Sequence, residues 1–211
     1  MMCLFLNTAS NYLHVALVVD NLLKDEVYEK YDRDLSKMAL FRVKELLEKN
    51  GLVPKDIDKI YVVRGPGSFT GLRVGVTIAK TYAWGCDKEL YSLSNLFVMA
   101  CSLKGYDYVI PMIDARRGYV YAGIYDKNYN NYMEDKHIGL DDLMACVNKL
   151  DGSYAFVSLD SFKNIDVFDY RPDVNNIFTN LRCEKCDYYT FEPEYLKKTE
   201  AEENLENDKG N

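Results

Sequence analysis

Apolar positions along this chain change period several times, and the changes mark its elements. Residues 2–8 are almost continuously apolar, and Ser10-Asn11 closes them with a turn signal. Residues 12–19 repeat the run, and Asp20-Asn21 turns again. From Leu22 to Tyr31 the pattern alternates, with Lys24, Glu26 and Lys30 on one side. Three strands joined by tight turns predict an antiparallel meander. The period then becomes helical. Leu35, Met38, Ala39, Val43, Leu46 and Leu47 recur at helical spacing, with Asp32 or Asp34 as cap and Asn50-Gly51 as the end. Leu40 and Phe41 widen the apolar face, so one side can pack on a sheet while another serves a partner. Strands are predicted at 58–64 and 89–93, and helices at about 71–84 and from Ser94-Asn95 to Cys101.

A second series begins after residues 102–106. It has strands at 108–114 and 119–125, a third at 132–138, a short helix at 140–150 and a strand at 154–159. Residues 173–181 fit either type of element. The series repeats the opening in reduced form, which predicts an N-terminal lobe over 1–103 and a C-terminal lobe over 104–198. A meander followed by alternating strands and helices is the ribonuclease-H-like plan. Residues 199–211 are polar and acidic with almost no apolar side chain, and are expected to be a disordered tail.

The joint between the strand at 58–64 and the next helix carries the densest pattern, Val63-Arg-Gly-Pro-Gly-Ser-Phe-Thr-Gly-Leu-Arg-Val-Gly75. Three glycines and a proline fall between Gly65 and Gly71. Such a turn leaves a strand sharply and enters a helix, with Ser68 or Thr70 as N-cap. Its amides can face an anion or simply pack. The spacing is neither a dinucleotide fingerprint nor a Walker loop. Beyond it, Gly71, Gly75, Ala79 and Ala83 form a stripe of small residues, flanked by Val74 and Ile78. The stripe admits close approach of another backbone, either from this chain's own sheet or from a second protein.

Composition narrows the chemistry. With 211 residues and 48% apolar content the chain can bury substantial cores. A net charge of −7 argues against nucleic acid held by this chain alone. The start lacks a basic segment ahead of its apolar run, so a cytoplasmic protein with reduced thiols is expected, with no membrane association. Cys183-Glu-Lys-Cys186 is one CxxC. With only His14 and His137 besides, it lacks the other ligands of a zinc site unless another chain supplies them, and no metal is expected.

Three segments together resemble the TsaB (YeaZ) family: Leu4-Phe-Leu-Asn-Thr-Ala9, the Gly65–Gly75 string, and Asp114-Ala-Arg-Arg-Gly118-Tyr-Val-Tyr121. Pro193-Glu-Tyr-Leu-Lys197 is similar to its C-terminal Pro-x-Tyr-Leu-Arg element. The resemblance is strong over residues 1–125 and weak over 126–190. It implies the actin-like ATPase (sugar kinase/heat-shock-protein-70/actin) fold, α/β, with two ribonuclease-H-like lobes, the second reduced. It implies a subunit that works in tRNA modification with TsaD and the ATPase TsaE, making threonylcarbamoyladenosine next to the anticodon of tRNAs that read codons starting with A. It implies pairing through the first two helices, which assigns Leu35, Met38, Ala39, Val43, Leu46, Gly71, Gly75, Ile78, Ala79 and Ala83 to a partner interface. The tRNA would then be met only through the complex, and a homodimer could form through the same helices when the chain is alone.

The residues themselves argue against catalysis. Actin-like kinases hold Mg-phosphate with an Asp after the first strand. Here Asn7-Thr8-Ala9-Ser10 offers an amide, which brings no charge to a metal. Asn7 also departs from the family's Leu-Asp-Thr-Ser, and Leu35-Ser36 departs from its His-Ser pair. TsaD's metal-binding His pair is absent, and neither histidine has an evident catalytic partner. No cofactor is expected for the isolated chain, ATP being reserved for the complex. Arg64, Arg73, Arg116 and Arg117 can hold phosphate, pair with carboxylates, or brace the lobes. The motif residues to place are therefore Gly65, Pro66, Gly67, Ser68, Phe69, Thr70, Arg73, Asp114, Arg116 and Arg117. A phosphotransferase or ATPase acting alone is the alternative, and a peptidase is a third.

Overall fold

The structure is a computed structural model and describes residues 1–31 and 34–197. The N-terminal meander is strands β1 (Met2–Asn7), β2 (Tyr12–Val19) and β3 (Leu22–Lys30), paired antiparallel in sequence order. Strands β4 (Lys59–Gly65) and β5 (Glu89–Ser94) then add parallel to β1. The second half repeats this. Strands β6 (Tyr108–Asp114), β7 (Tyr119–Asp126) and β8 (Asn131–Gly139) are the meander, and β9 (Tyr154–Val157) and β10 (Val167–Phe168) add parallel to β6. Two copies of the ribonuclease-H-like plan, the second with shorter parallel strands, make the actin-like ATPase fold.

Helices separate the sheets. Helices α1 (Leu35–Lys49) and α2 (Phe69–Cys86) cover the outer face of the first sheet, burying Leu35, Ala39, Val43, Leu46, Ile78 and Ala79 with Leu4, Leu6 and Val62. Helices α3 (Asn95–Ala100) and α5 (Val174–Thr179) lie on the inner face, where all six α3 residues are buried against residues of both sheets. Helix α4 (Leu140–Val147) closes the far side of the second sheet. The ambiguous 173–181 stretch is a helix because Asp173 caps it, its side chain accepting from Asn176 N.

Three expectations shift. Helix α1 is not capped by Asp34, which takes a left-handed φ of 56° and makes no side-chain cap bond. Asp32 lies outside the described residues, as do residues 199–211. Helix α2 starts at Phe69, because Ser68 is its cap and Thr70 already lies inside the helix. The segment after α5 does not stay with the second lobe. Strand β11 (Glu184–Cys186) pairs antiparallel with β5 at the edge of the first sheet, giving the order β11-β5-β4-β1-β2-β3. A three-residue strand of Glu-Lys-Cys carries no apolar period to announce it.

Candidate functional site

The glycine turn is built against the loop that follows β1. Ser68 N donates to Ala9 O at 2.7 Å, and a Cβ on Gly67 would lie 2.3 Å from that same oxygen. Thr8 Oγ1 donates to Gly71 O at 2.8 Å. A Cβ on Gly71 would sit 2.0 Å from Thr8 O, and one on Gly75 would sit 2.2 Å from Thr8 Oγ1. Gly71 N is used by the Ser68 cap. These glycines serve close packing, and two of the amides that could face an anion are already committed. Asn7 is equally occupied: it is buried, and its Oδ1 accepts from Ala9 N at 2.9 Å.

The small-residue stripe therefore meets this chain's own β1–β2 loop and sheet. Of the ten residues assigned to a partner interface, Leu35, Ala39, Val43, Leu46, Gly71, Gly75, Ile78, Ala79 and Ala83 are buried inside the chain, and Met38 is half-buried. This corrects the assignment. Helical periodicity marks the face turned to the core, and here that core is internal. The outer sides of the two helices carry other residues. Leu40 is 56% exposed, Phe41 57% and Trp84 62%, with Phe69 exposed at the start of α2.

The C-terminal motif clamps this joint from the other side. Glu194 N donates to Arg64 O at 2.8 Å, and Arg64 Nε lies 2.8 Å from Glu194 Oε2. The Arg64 guanidinium also pairs with Glu184. Gly65, at φ 138°, leaves room for Glu194 O, which would lie 2.4 Å from an added Cβ. The Tyr195 ring stacks on Phe69 at 5.1 Å, and Arg73 lies over Phe69 at 4.0 Å with its Nε donating to Tyr195 OH at 3.2 Å. Arg64 and Arg73 thus brace chain segments. Arg116 and Arg117 do not: they sit exposed in the β6–β7 hairpin with left-handed φ of 66° and 54°, and no ion pair reaches them among the described residues. Asp114 shapes that hairpin, its Oδ1 accepting from Arg116 N at 2.8 Å.

The histidines are structural. His14 is buried, with Nε2 2.7 Å from Glu26 Oε2 and its ring edge-on to Phe5. The His14 hydrogen bond holds the Glu26 carboxyl below its usual range, against burial, with help from the charges of His14 and Arg171. A depressed carboxylate contributes stability fully above its ordinary value of 4.5 and loses it as pH falls through the lower folded value. Glu26→Gln should therefore flatten the acid side of the stability profile below pH 4.5, measured by urea unfolding across pH. His137 stacks on Tyr119 at 4.7 Å. Cys183 packs toward the inter-sheet core and Cys186 toward the outer-face core, so the CxxC thiols point to opposite sides of the first sheet.

Two arrangements carry no signature in the sequence. One joins the lobes: Asp135 on β8 accepts from Tyr125 OH at 2.6 Å and bonds the Ser94 hydroxyl. Burial pushes the Asp135 carboxyl up, and the two donors oppose the shift. The other is a cavity of about 360 Å³ between the lobes, reached by the loop after β1, the glycine turn, α3 and the ends of β6 and β9. Its ionisable lining residues are Asp160, Tyr31 and Tyr170; among the described residues no Lys or Arg lines it. This donor set does not fit the Mg-triphosphate group of actin-like kinases, which needs charge from a carboxylate at position 7 and cationic partners for phosphate. No helix among the described residues is long and apolar enough to cross a membrane.

Residues 27–159 match the family model of TsaD, tRNA N6-adenosine threonylcarbamoyltransferase. The tRNA threonylcarbamoyladenosine biosynthesis protein TsaB of Bacillus subtilis is 30% identical over 221 residues, covering 96% of this chain and 96% of that one. TsaB of Escherichia coli is 34% identical over 133 residues, 62% of this chain and 57% of its own. The solved structure of YeaZ from Pseudomonas aeruginosa superposes with a TM-score of 0.72 at 19% identity, over 92% of this chain and 99% of that one. Similarity to the Bacillus protein along nearly the whole chain, joined to the motifs placed above, means that this chain belongs to the TsaB family.

Proposed function

We propose that this chain is a non-catalytic subunit that pairs with TsaD and, with TsaE, supports threonylcarbamoyladenosine formation next to the anticodon of tRNAs reading codons that start with A. The observation that carries the reading is the outer surface of α1 and α2. Both helices cover one face of the first sheet, and both turn large apolar side chains to solvent, Leu40 and Phe41 from one and Phe69 and Trp84 from the other. Exposed aromatic groups on adjoining rigid helices are suited to a protein interface. Relatives named for tRNA threonylcarbamoyladenosine biosynthesis, and the match of residues 27–159 to the TsaD family model, support this choice of partner.

The catalytic role falls to the partner in this reading. Asn7 brings no charge and its oxygen is taken by Ala9 N. The isolated chain then carries no nucleotide, and ATP belongs to the assembled complex. The tRNA is met through that complex, which suits a chain of net charge −7.

The test uses Phe41→Asp and Trp84→Ala, two exposed positions whose replacement leaves the core intact. TsaD affinity should fall at least about tenfold for Phe41→Asp, equivalent to about 1.4 kcal/mol, and reconstituted tRNA modification should fall with it. Unchanged TsaD binding by both variants sinks the interface. Enlarging Gly75 or Ala79 cannot serve, because those positions are packed inside the chain.

A further inference from the structure

The β6–β7 hairpin is braced on both sides and strained at its tip. Asp114 Oδ1 accepts from Arg116 N, and Asp114 N donates to Asp160 Oδ2. Tyr119 N donates to Arg116 O, and Leu140 N donates to Gly118 O. Between these ties Arg116, Arg117 and Gly118 take left-handed φ in succession, at 66°, 54° and 79°. Glycine and asparagine adopt that region readily, and arginine rarely does. Strain that the surroundings hold in place points to a use.

The two side chains have no use inside the chain. Arg42, Arg64 and Arg171 pair with carboxylates, Arg73 lies over Phe69, and Arg182 bonds Asn130. Arg116 and Arg117 are exposed, and neither guanidinium has an ion pair, hydrogen bond or ring contact among the described residues. Next to them Tyr119 is 47% exposed, its ring parallel to His137 at 4.7 Å. Tyr121 tilts onto the same His137 from β7.

Two adjacent guanidinium forks suit phosphate oxygens. A half-exposed ring backed by other rings suits a base. A protein interface is disfavoured, because the other exposed groups here, Asp114, Gly118, Asp141 and Asp142, leave little apolar area to bury. Asp141 and Asp142 lie in the first turn of α4 and complement its amides. With the net charge of −7 they keep the hairpin from holding RNA unaided. We propose that Arg116, Arg117 and Tyr119 form a contact for single-stranded RNA, the arginines on backbone phosphates and Tyr119 under a base of an unpaired stretch of the tRNA. The contact rests on the pairing proposed above, since TsaD must bring the RNA to it.

Fluorescence anisotropy with an unmodified tRNA transcript and the assembled complex tests it across a salt series. Arg116→Asn with Arg117→Asn removes both charges with residues that accept left-handed φ, so Tm should hold or rise. The affinity for tRNA should fall at least about fivefold, and the slope of log K against log salt should shrink by about 1.4, as for two phosphates of a single strand. Tyr119→Ala should weaken tRNA by about fivefold or more with the salt slope unchanged. It decides the matter if the asparagine pair melts early. TsaD affinity should be unaltered in all. Full tRNA affinity in a complex that assembles normally overturns the contact and leaves the pairing standing. Lost TsaD affinity in the asparagine pair overturns it too, by assigning the hairpin to the protein partner. If the unaltered chain does not bind TsaD, the pairing falls and the contact with it.

Discussion

Gly71→Ala should destabilise the protein by about 3 kcal/mol, the upper end of ordinary overpacking costs. Helix propensity alone predicts the opposite, since alanine in a helix interior is favoured over glycine by about 1 kcal/mol. Geometry decides the sign. The new Cβ would lie 2.0 Å from Thr8 O, a backbone atom of the loop that β1 and β2 hold in place. Nothing flexible is available to move aside. Gly75→Ala should cost less, about 1 kcal/mol, because its obstacle is the Thr8 side chain, which can rotate once its bond to Gly71 O is released. Gly85→Ala is the control. Nothing lies within 4 Å of its added Cβ, so propensity acts unopposed and stability should rise by about 0.5–1 kcal/mol. Urea unfolding of the three variants measures the series, and a Gly71→Ala protein as stable as Gly85→Ala would refute the packing account.

Tyr125→Phe should cost about 2 kcal/mol, in the range for hydrogen bonds to a charged group. Tyr125 is buried and its hydroxyl is one of two donors to Asp135, the other being Ser94 at the start of α3. Gly123 leaves space for that carboxylate, whose Oδ1 would lie 2.3 Å from an added Cβ. Removing one donor leaves a buried carboxylate with less compensation. The pH dependence follows from burial. A carboxyl whose folded pKa is raised favours folding when protonated, and its contribution is lost as pH rises from the ordinary 3.8 through the folded value. Loss of the Tyr125 donor raises that value further, so the deficit of Tyr125→Phe should grow as pH climbs from about 4 toward 8. A deficit that does not change with pH would mean that only packing was lost.

Most of the fold could be read from hydrophobic period, because each meander has two short turns and each long helix buries one regular face. The glycine string announced its joint for the same reason: only glycine fits where Ala9 O, Thr8 O and Glu194 O come so close. The partner face was harder. Leu35, Ala39, Val43 and Leu46 carry the strongest period and are for that reason core. The exposed apolar positions break the period: Leu40 and Phe41 showed only as a widening of the stripe, and Trp84 carried no signal of its own. The Ser94–Asp135 bond joins residues 41 apart along the chain, and Asn95 and Asp160, which line one cavity, come from different lobes. No local pattern records such a meeting. Strand β11 escaped because Glu-Lys-Cys is too short to show a period of its own.

That edge strand ties the order of synthesis to the completeness of the first sheet. A ribosome that has released residues 1–103 has delivered β1 to β5, yet the outer edge of β5 stays without its partner until residues 184–186 arrive. Through that interval the nascent chain exposes an unpaired strand edge, the feature most prone to pairing with a neighbouring chain. A product truncated before Glu184 keeps that edge open permanently. It also lacks Glu184 and Glu194 for Arg64, and Tyr195 for Phe69 and Arg73. The two lobes are thus one unit of biosynthesis, and a nonsense codon just before Glu184 strikes the beginning of the protein.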